Sequence, residues 1–438
     1  MNKMDSCEMI PITKLLLTIV DNRGKSCPIS EKGFPLIATN CIKHSSIYPT
    51  FENIRYVTEE TLRTWFRAEL KPNDILFVNK GTPGRVCLVP DPVSFCVAQD
   101  MIGLRVDPSK IYYKYLFAVL RTDFIQSKIK NFHVGIAIPH FKKSDMDNLL
   151  IPVPSMDVQI KIGDLYCELS EKIESNNAIN TELEAMARTL YDYWFLQFDF
   201  PDENGKPYKS SGGKMVWNEE LKREIPKDWK VGTLNSYIVK DKVGDWGKDK
   251  EEGNYIRKVT CLRGADFPSI IGTAVLEAPK RFILEKNKDK FLESGDLIIE
   301  ISGGSPTQST GRIGYINDSL LKRFDTEVIT SNFCKAISLK DVTYMYWFYV
   351  QWKKIYESNI LFKYEGKTTG IKNLLFDMFI KDYKIIEPVD ELIFKYNEKV
   401  ADIFEKIQKN QKESQELASL RDFLLPLLMN GQVGFKEC

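Results

Sequence analysis

The sequence lacks the features of a membrane protein, a secreted protein and a protein that binds polyanions by bulk charge. No run of about 18 apolar residues occurs in the 438-residue chain, so no transmembrane helix is expected. A short apolar patch follows Asp5 and Glu8 without a small-residue cleavage site, so no signal peptide is expected. A formal net charge of +1 argues against histone-like DNA binding but allows basic groups on one face.

The cysteine and histidine patterns argue against a disulfide framework and against a zinc site. The nine cysteines are scattered, odd in number and without a C-x-x-C motif, which is typical of a reducing cytosol. The three histidines (His44, His133 and His140) offer few ligands for a zinc site. We therefore expect a cytoplasmic protein without disulfides and without a metal of its own.

Catalytic motifs are missing as well. "RGKS" (23–26) and "GKT" (366–368) resemble the end of a phosphate-binding loop, but Ile19 and Leu361 stand where its first glycine belongs. No G-x-G-x-x-G follows a predicted strand, and no [ND]-P-P-[FY], G-x-S-x-G or H-E-x-x-H occurs. The sequence therefore predicts a chain with no catalytic residues.

What the sequence does contain is an internal repeat. Residues 141–195 overlay residues 375–429 without a gap. Glu171-Lys172-Ile173 falls on Glu405-Lys406-Ile407, and the identical pairs also include Ile151/Ile385, Pro154/Pro388, Asn176/Asn410, Leu183/Leu417 and Leu190/Leu424. The two copies therefore predict two equivalent helices, each at the end of one half of the chain.

Both helices carry a heptad pattern with the same polar interruption. Apolar or polar seam residues recur at alternating spacings of three and four, which is typical of a coiled coil. Asn176 and Asn180 in the first helix match Asn410 and Ser414 in the second. We expect these four residues to fix the register of an antiparallel helix pair, because a shifted pairing would leave the amides unsatisfied. The alternative is that each helix packs only on its own domain.

The segments before the helices repeat more loosely. "DILFVNKGTPGRVCLV" (74–89) and "DLIIEISGGSPTQSTGRIGYI" (296–316) each read as a strand, a glycine-rich loop and a second strand. The aromatic-rich stretches that follow each unit are expected to be core helices. The predicted fold is α+β, with two mixed α/β domains separated by two long helices that form an antiparallel coiled coil with pseudo-two-fold symmetry. The predicted boundaries are 1–154, helix 155–200, linker 201–229, 230–388, helix 389–430 and tail 431–438.

The repeated region resembles the conserved region of specificity subunits of type I restriction–modification enzymes. That family has Ile-Pro-x-Pro-Pro-x-x-x-Gln-x-x-Ile before a helix with Glu-Lys-Ile, asparagines and a terminal Trp-Phe. The matching residues here are Ile151, Pro152, Pro154, Gln159, Ile162, Glu171, Lys172, Ile173, Trp194 and Phe195. Ser155 replaces the second proline of the motif, and the second copy has Ile393 where the first has Gln159.

The resemblance implies a non-catalytic subunit that recognises double-stranded DNA. In this family two target recognition domains each read half of a bipartite site, and the paired helices act as a spacer and dock methyltransferase subunits. S-adenosylmethionine is then expected with the methylation partner, and ATP with Mg²⁺ is expected with a translocating endonuclease subunit. No membrane partner is expected. The alternatives are a structural coiled-coil adaptor without a DNA-reading role, and the specificity part of a fused restriction–methylation enzyme.

The DNA-binding candidates lie in the glycine-rich loops and in the polar stretches after them. Arginine suits guanine, Asn and Gln suit adenine, and glycine lets the backbone approach DNA. The candidates are Asn79, Lys80, Thr82, Arg85, Asn131 and His133 in the first half, and Thr307, Gln308, Ser309, Thr310, Arg312, Lys363, Tyr364, Lys367 and Thr368 in the second. The alternative is that the loops are ordinary hairpin turns in which Arg85 and Arg312 pair with local carboxylates.

Overall fold

The computed structural model describes residues 8–21, 26–97, 99–132, 139–271, 276, 278–305, 307–368 and 370–435, but not the side chains of Ile271, Lys367 and Thr368. The chain forms two compact units. Unit 1 comprises Met1–Ser175 with Glu416–Cys438, and unit 2 comprises Asn176–Gln415. Both dividing points fall inside long helices, so each helix contributes one part to each unit.

Unit 1 is built from nine strands, three short α-helices and the first part of a long α-helix among its described residues. Its strands are β1 (Glu8–Pro11), β2 (Leu16–Val20), β3 (Phe34–Ile37), β4 (Arg55–Val57), β5 (Ile75–Val78), β6 (Val86–Leu88), β7 (Cys96–Val97), β8 (Met101–Val106) and β9 (Leu150–Val153). Its helices are α1 (Glu59–Thr64), α2 (Tyr113–Leu120), α3 (Asp123–Asn131) and the start of α4 (Met156–Tyr191).

The strands of unit 1 form three sheets. The orders are β1-β9, β2-β8-β5-β6 and β4-β3-β7. The consecutive residues Tyr115–Leu120 of α2 are all buried in one core with residues of β5, β6, β8, α3 and α4. The aromatic stretch after the first glycine-rich loop is therefore core, as predicted, although Tyr112 and Tyr113 are only half-buried.

Unit 2 repeats this set of elements and adds to it. Its strands are β10 (Met215–Asn218), β11 (Arg223–Pro226), β12 (Lys230–Thr233), β13 (Ile238–Val243), β14 (Tyr255–Leu262), β15 (Lys280–Leu284), β16 (Leu297–Glu300), β17 (Ser302–Gly303), β18 (Ile313–Tyr315), β19 (Val328–Thr330), β20 (Cys334–Leu339), β21 (Glu365–Thr368), β22 (Ile371–Leu374) and β23 (Lys384–Glu387). Its helices are the end of α4, α5 (Phe267–Ile271), α6 (Asp318–Leu321), α7 (Met345–Glu357), α8 (Phe376–Asp382) and most of α9 (Asp390–Met429).

The sheet topology of unit 2 matches that of unit 1 sheet by sheet. The pair β12-β23 corresponds to β1-β9, the sheet β13-β20-β16-β18 to β2-β8-β5-β6, and the sheet β15-β14-β19 to β4-β3-β7. Helix α7 takes the place of α2, and its aromatic residues Tyr346–Tyr349 are buried. Unit 2 also contains the sheet β17-β22-β21 and the hairpin β10-β11.

A buried carboxylate precedes the central strand in each unit. Asp74 accepts two hydrogen bonds from Arg105 at 2.9 and 2.8 Å. In the repeat, Asp296 accepts from Lys242 at 2.8 Å and from Ser338 at 2.6 Å. Because a buried carboxylate needs such donors, the repeated aspartate fixes how neighbouring strands align in both domains.

The two long helices pair antiparallel within each unit. In unit 1, Arg421 of α9 donates to Ser170 of α4 at 3.1 Å, and Leu425 and Leu428 pack in the same core as Tyr166. In unit 2, α4 and α9 are joined through Asn180 and Asn410, whose side chains lie 2.9 Å apart. The alternative in which each helix packs only on its own domain is therefore excluded.

Helix α4 ends in a π-helical turn that enters the core of unit 2. The turn spans Asp192–Leu196, and within it Trp194 and Phe195 are buried. The polar segment 201–229 that follows is more ordered than its composition suggests. It contains the β10-β11 hairpin, and Trp229 stacks against Phe200 with ring centroids 5.4 Å apart. The predicted α+β fold with two domains and paired helices is confirmed, whereas the segment read as a linker forms part of unit 2.

Candidate DNA-recognition loops and the paired helices

The glycine-rich loop of unit 2 has an exposed tip and a buried base. Thr307 and Gln308 are exposed, and the Gln308 amide donates to the Tyr356 hydroxyl at 3.0 Å. Ser309 and Thr310 are 5% and 2% exposed, so little of either side chain faces solvent. The tip, rather than the base, is placed to meet a ligand.

Arg312 at the base of this loop is committed to a carboxylate. Its Nε and Nη2 atoms donate to Glu300 at 2.8 and 2.7 Å, and this hydrogen bonding raises the pKa of the Arg312 guanidinium. Thr310 donates its backbone N–H to Glu365 at 2.8 Å. Gly264 lies against the ion pair, since a Cβ there would stand 2.5 Å from Glu300 Oε1. Arg312 and Thr310 therefore hold the loop in shape, in agreement with the local-pair alternative for Arg312.

The hairpin β21-β22 lies next to this loop. Strand β22 pairs with β17, and Ser302 donates to Asn373 at 2.6 Å. Lys363, just before the hairpin, is exposed, whereas Tyr364 is half-buried with its ring 5.0 Å from that of Phe379. The backbone of Lys367 and Thr368 lies in β21, and their side chains fall outside the described part. The hairpin and the loop tip thus bring two of the predicted segments together.

The glycine-rich loop of unit 1 is arranged differently. Lys80 is exposed, with its ammonium 3.7 Å from Asp100, and Thr82 is exposed. Asn79 is half-buried, and its side-chain oxygen is buried without a hydrogen-bond partner among the described residues. Arg85 is half-buried and pairs with no described carboxylate. The local-pair alternative therefore does not hold for Arg85 in the described structure.

Positive charge collects near Arg85. The pKa of His44 lies below its ordinary value, first because the imidazole is buried and then because cations surround it. Those cations are Arg121, Arg85 and Lys130. Arg121 itself donates to the Val86 carbonyl at 3.1 Å, which leaves Arg85 and Lys130 as the cations without such a structural role.

The last predicted residues of unit 1 are only partly described. Asn131 is exposed at the C-terminal residue of α3. His133 lies outside the described residues. The structure therefore places Asn131 on the surface but does not bear on the histidine.

The four predicted register residues are all buried in the helix pair of unit 2. Asn176, Asn180, Asn410 and Ser414 are 1%, 2%, 3% and 7% exposed. Asn176 donates to Ser414 at 3.2 Å, and Asn410 donates to Asn180 at 2.9 Å. Each amide thus meets a polar group of the opposite helix, and a register role remains the interpretation that fits this geometry.

Sequence reasoning missed a cleft beside the loop in unit 2. It is lined by Trp246, Arg263, Asn332, Phe333 and Ile371 together with the glycine-rich segment Ser302–Gly304. Trp246 is held between two glycines in "GDWGK", a pattern that signals a tight turn carrying one large side chain. The other residues come from segments that are distant from Trp246 in sequence, so no local pattern could bring them together.

The described residues show neither a metal site nor a membrane span. Within the described ranges, no group of three or more His, Cys, Asp or Glu side chains is placed to hold a metal ion. None of the helices built from those residues is long and apolar enough to cross a membrane. The seven described cysteines are free thiols.

These features define a class of internally duplicated protein, with two α/β domains, a glycine-rich loop on each and a shared pair of antiparallel helices. Residues 24–185 match the model of the type I restriction modification DNA specificity domain. The MjaIX type I restriction enzyme specificity subunit of Methanocaldococcus jannaschii is 23% identical over 87% of this chain and 83% of its own length. The HindI specificity subunit of Haemophilus influenzae is 23% identical over 83% of this chain and 87% of its own.

A solved structure supports the same fold. The S subunit of a type I restriction–modification system from M. genitalium superposes with a TM-score of 0.56 at 17% identity. The match covers 98% of this chain and 97% of that one. Over most of its length the chain is therefore similar to specificity subunits of type I restriction enzymes.

Proposed function

We propose that each domain of this chain reads one half of a bipartite DNA site. The observation that carries the proposal is the duplication of one domain topology with a glycine-rich loop at the same place in each copy. Exposed Lys80 and Thr82 in one loop and Thr307 and Gln308 in the other supply donors and acceptors suited to base edges. Exposed Lys363 is suited to a phosphate.

The paired helices set the distance between the two half-sites and dock the methyltransferase subunits. Docking is supported by large apolar side chains that the helices leave in solvent. On α9, Leu420 and Phe423 are 46% and 66% exposed, and on α4, Ile179 and Met186 are 42% and 59% exposed. Exposed apolar groups at such helical spacings are typical of a surface that a partner covers.

The chemistry of the assembled complex belongs to its partners. S-adenosylmethionine binds the methyltransferase subunits, which methylate adenine in the recognised site. ATP and Mg²⁺ belong to a translocating endonuclease subunit that joins for restriction. This chain supplies the choice of sequence.

The test is methylome sequencing of cells that carry this chain with its methyltransferase partner. A bipartite adenine-methylated motif is expected. Gln308→Ala should relax the sequence of one half-site only, because the tip of a single loop loses its amide. Lys363→Ala should weaken binding to all sequences and lower the salt slope by about one, because a phosphate contact carries no sequence information.

The outcome separates the alternatives. A coiled-coil adaptor without a DNA-reading role would give no methylated motif and no salt-dependent DNA binding by the complex. A fused enzyme would show methyl transfer from labelled S-adenosylmethionine to DNA by the purified chain alone. An unchanged motif in the Gln308 variant would remove the loop tip from base reading.

A further inference from the structure

The cleft beside the glycine-rich loop of unit 2 presents a tryptophan in a rigid setting. The backbone N–H of Trp246 donates to Asn332 Oδ1 at 3.0 Å, and the Trp246 carbonyl accepts from Arg281 Nε at 2.8 Å. The guanidinium of Arg281, itself 5% exposed, stacks 4.2 Å from the centre of the indole ring. Trp246 is nonetheless 37% exposed. A large ring fixed at its backbone and at its face, yet open to solvent, is suited to contact a ligand at little cost in conformational entropy.

The turn that carries Trp246 requires a glycine on each side of the Asp245-Trp246 pair. A Cβ at Gly244 would stand 2.0 Å from the Ser331 carbonyl oxygen, and Gly247 adopts a φ of +60°. The side chain of Asp245 accepts from the Gly247 N–H at 2.9 Å and so closes the turn. Gly244 therefore lets the turn lie against the segment that carries Asn332, and Gly247 lets it lie against Phe282 of β15.

Two other side chains that line the cleft are apolar and exposed. Phe333 and Ile371 are 53% and 42% exposed. The floor is the segment Ser302–Gly304, and a Cβ added at Gly304 would meet nothing within 4 Å. An approaching group thus finds apolar side chains, an open backbone, one amide and the Arg263 guanidinium, which donates to Asp266 at 3.0 and 2.9 Å.

The amide of Asn332 has a defined polarity. Its oxygen must face the Trp246 N–H, since only the oxygen of a side-chain amide accepts hydrogen bonds. The Nδ2 group has no hydrogen-bond partner among the described residues and is therefore a donor available to a ligand. In the major groove, thymine combines an acceptor, O4, with an apolar methyl group. Guanine offers acceptors without the methyl, and cytosine and adenine place amino donors there.

The geometry points to a thymine-reading site in this cleft, with Asn332 donating to O4 and Phe333 and Trp246 packing on the 5-methyl group. The inference rests on the proposed function and narrows it, because it assigns a base type to one position of the half-site read by unit 2. It also makes Asn332, Phe333 and Trp246 determinants of sequence preference, besides the residues of the loop tip.

The experiment uses the full-length chain in complex with its methyltransferase subunits and a duplex that carries the methylated motif. Each thymine of both half-sites is replaced in turn by uracil, which keeps base pairing and removes only the methyl group. The wild-type complex is expected to bind about three- to tenfold more weakly at one position of one half-site, as for the loss of one buried methyl group. Phe333→Ala is expected to bring the thymine-to-uracil ratio at that position close to one.

Two further variants sharpen the test. Asn332→Asp keeps an acceptor for the Trp246 N–H but replaces the donor, so preference at that position should shift from thymine towards cytosine. Trp217→Ala removes another exposed tryptophan of unit 2, 57% exposed on β10, and should leave the thymine-to-uracil ratio unchanged.

The inference and the proposed function fail in different ways. A wild-type complex without site-specific binding would overturn both. A complex that binds its bipartite site but ignores uracil everywhere, or whose half-sites lack A·T pairs, would overturn the thymine site alone. So would a Phe333→Ala complex that stays folded and keeps the wild-type ratio.

Discussion

At the scale of single residues, the two copies use different side chains to accept hydrogen bonds from the first turn of equivalent helices. Helices α2 and α7 each begin with backbone N–H groups that need acceptors. In unit 1, Gln159 accepts from the Tyr112 N–H at 2.8 Å. In unit 2, Asn397 accepts from the Tyr346 N–H at 3.2 Å, one helical turn further along its helix than the equivalent of Gln159. The apolar Ile393 at that equivalent position is therefore tolerated.

The arginines of the two glycine-rich loops show the same divergence. Arg312 is paired with Glu300, whereas in unit 1 the residue equivalent to Glu300 is Val78 and Arg85 has no described carboxylate partner. Arg312→Met should therefore lower the free energy of unfolding of unit 2 by about 2–3 kcal/mol, because a carboxylate is left buried without its donors. Arg85→Met should cost less than about 0.5 kcal/mol. Urea denaturation of both variants measures the difference.

A compensating variant checks the cause. Glu300→Leu combined with Arg312→Met removes both partners and should recover most of the loss. Equal small losses for both single arginine variants would contradict the structural role of Arg312 and return it to the set of base-reading residues.

Residue-scale contacts were the least predictable from sequence. The pattern G-R after each loop identifies both arginines but does not distinguish a paired guanidinium from an unpaired one. The distinction depends on position 300, which lies seven residues before Thr307 and is brought to Arg312 by the pairing of strands β16 and β18. The contact between Trp246 and Asn332 could not be predicted for the same reason, because the two residues are distant in sequence and only the fold brings them together.

At the scale of elements, the helix pair was largely predictable. Its seam follows a heptad rule that depends on local spacing, and the polar layer repeats in both copies. The structure adds the individual partners. Asn176 also donates to Glu413 Oε2 at 2.9 Å, and Asn180 donates to the Ile407 carbonyl at 3.5 Å. The polar layer is therefore a hydrogen-bond network, and removing one member leaves polar groups of the others without a partner.

Because of this network, the effect on stability depends on whether one member of the polar layer is replaced or all four are. Asn410→Leu alone should destabilise the helix pair by about 1–3 kcal/mol, because Asn180 Oδ1 loses its donor inside the seam. Replacing Asn176, Asn180, Asn410 and Ser414 together with Leu should raise the melting temperature, since an apolar seam has no unsatisfied groups. Thermal unfolding of the single and fourfold variants tests both directions.

Register is the second readout for the fourfold variant. Without the polar layer, several helix alignments become similar in stability, so the methylated motif should show more than one spacer length. A fourfold variant that melts below the wild type, or that keeps one sharp spacer, would contradict the proposed role of the layer.

At the scale of the whole molecule, an internal duplication explains why the chain has two domains with the same sheet topology and two long helices. Each copy begins with a strand that pairs with the strand just before its long helix, β1 with β9 and β12 with β23. The repeat was predictable because the helices preserve their sequence. The added sheet β17-β22-β21 and the β10-β11 hairpin were not, because neither segment has a counterpart that a comparison of the copies could align.

The duplicated helices also allow the spacer to be changed on purpose. Inserting one heptad after Ser175 and one after Gln415 lengthens both helices at the points where the two units divide. Seven residues add about 10 Å of helix at ~1.5 Å per residue, which corresponds to about three base pairs of DNA. The methylated motif should therefore keep both half-site sequences and gain about three base pairs between them, as read by methylome sequencing. An insertion in α4 alone is the matched control and should abolish methylation, because the contact between Ser170 and Arg421 in unit 1 could no longer form together with the polar layer in unit 2. An unchanged spacer in the double insertion would show that the helix pair does not set the distance.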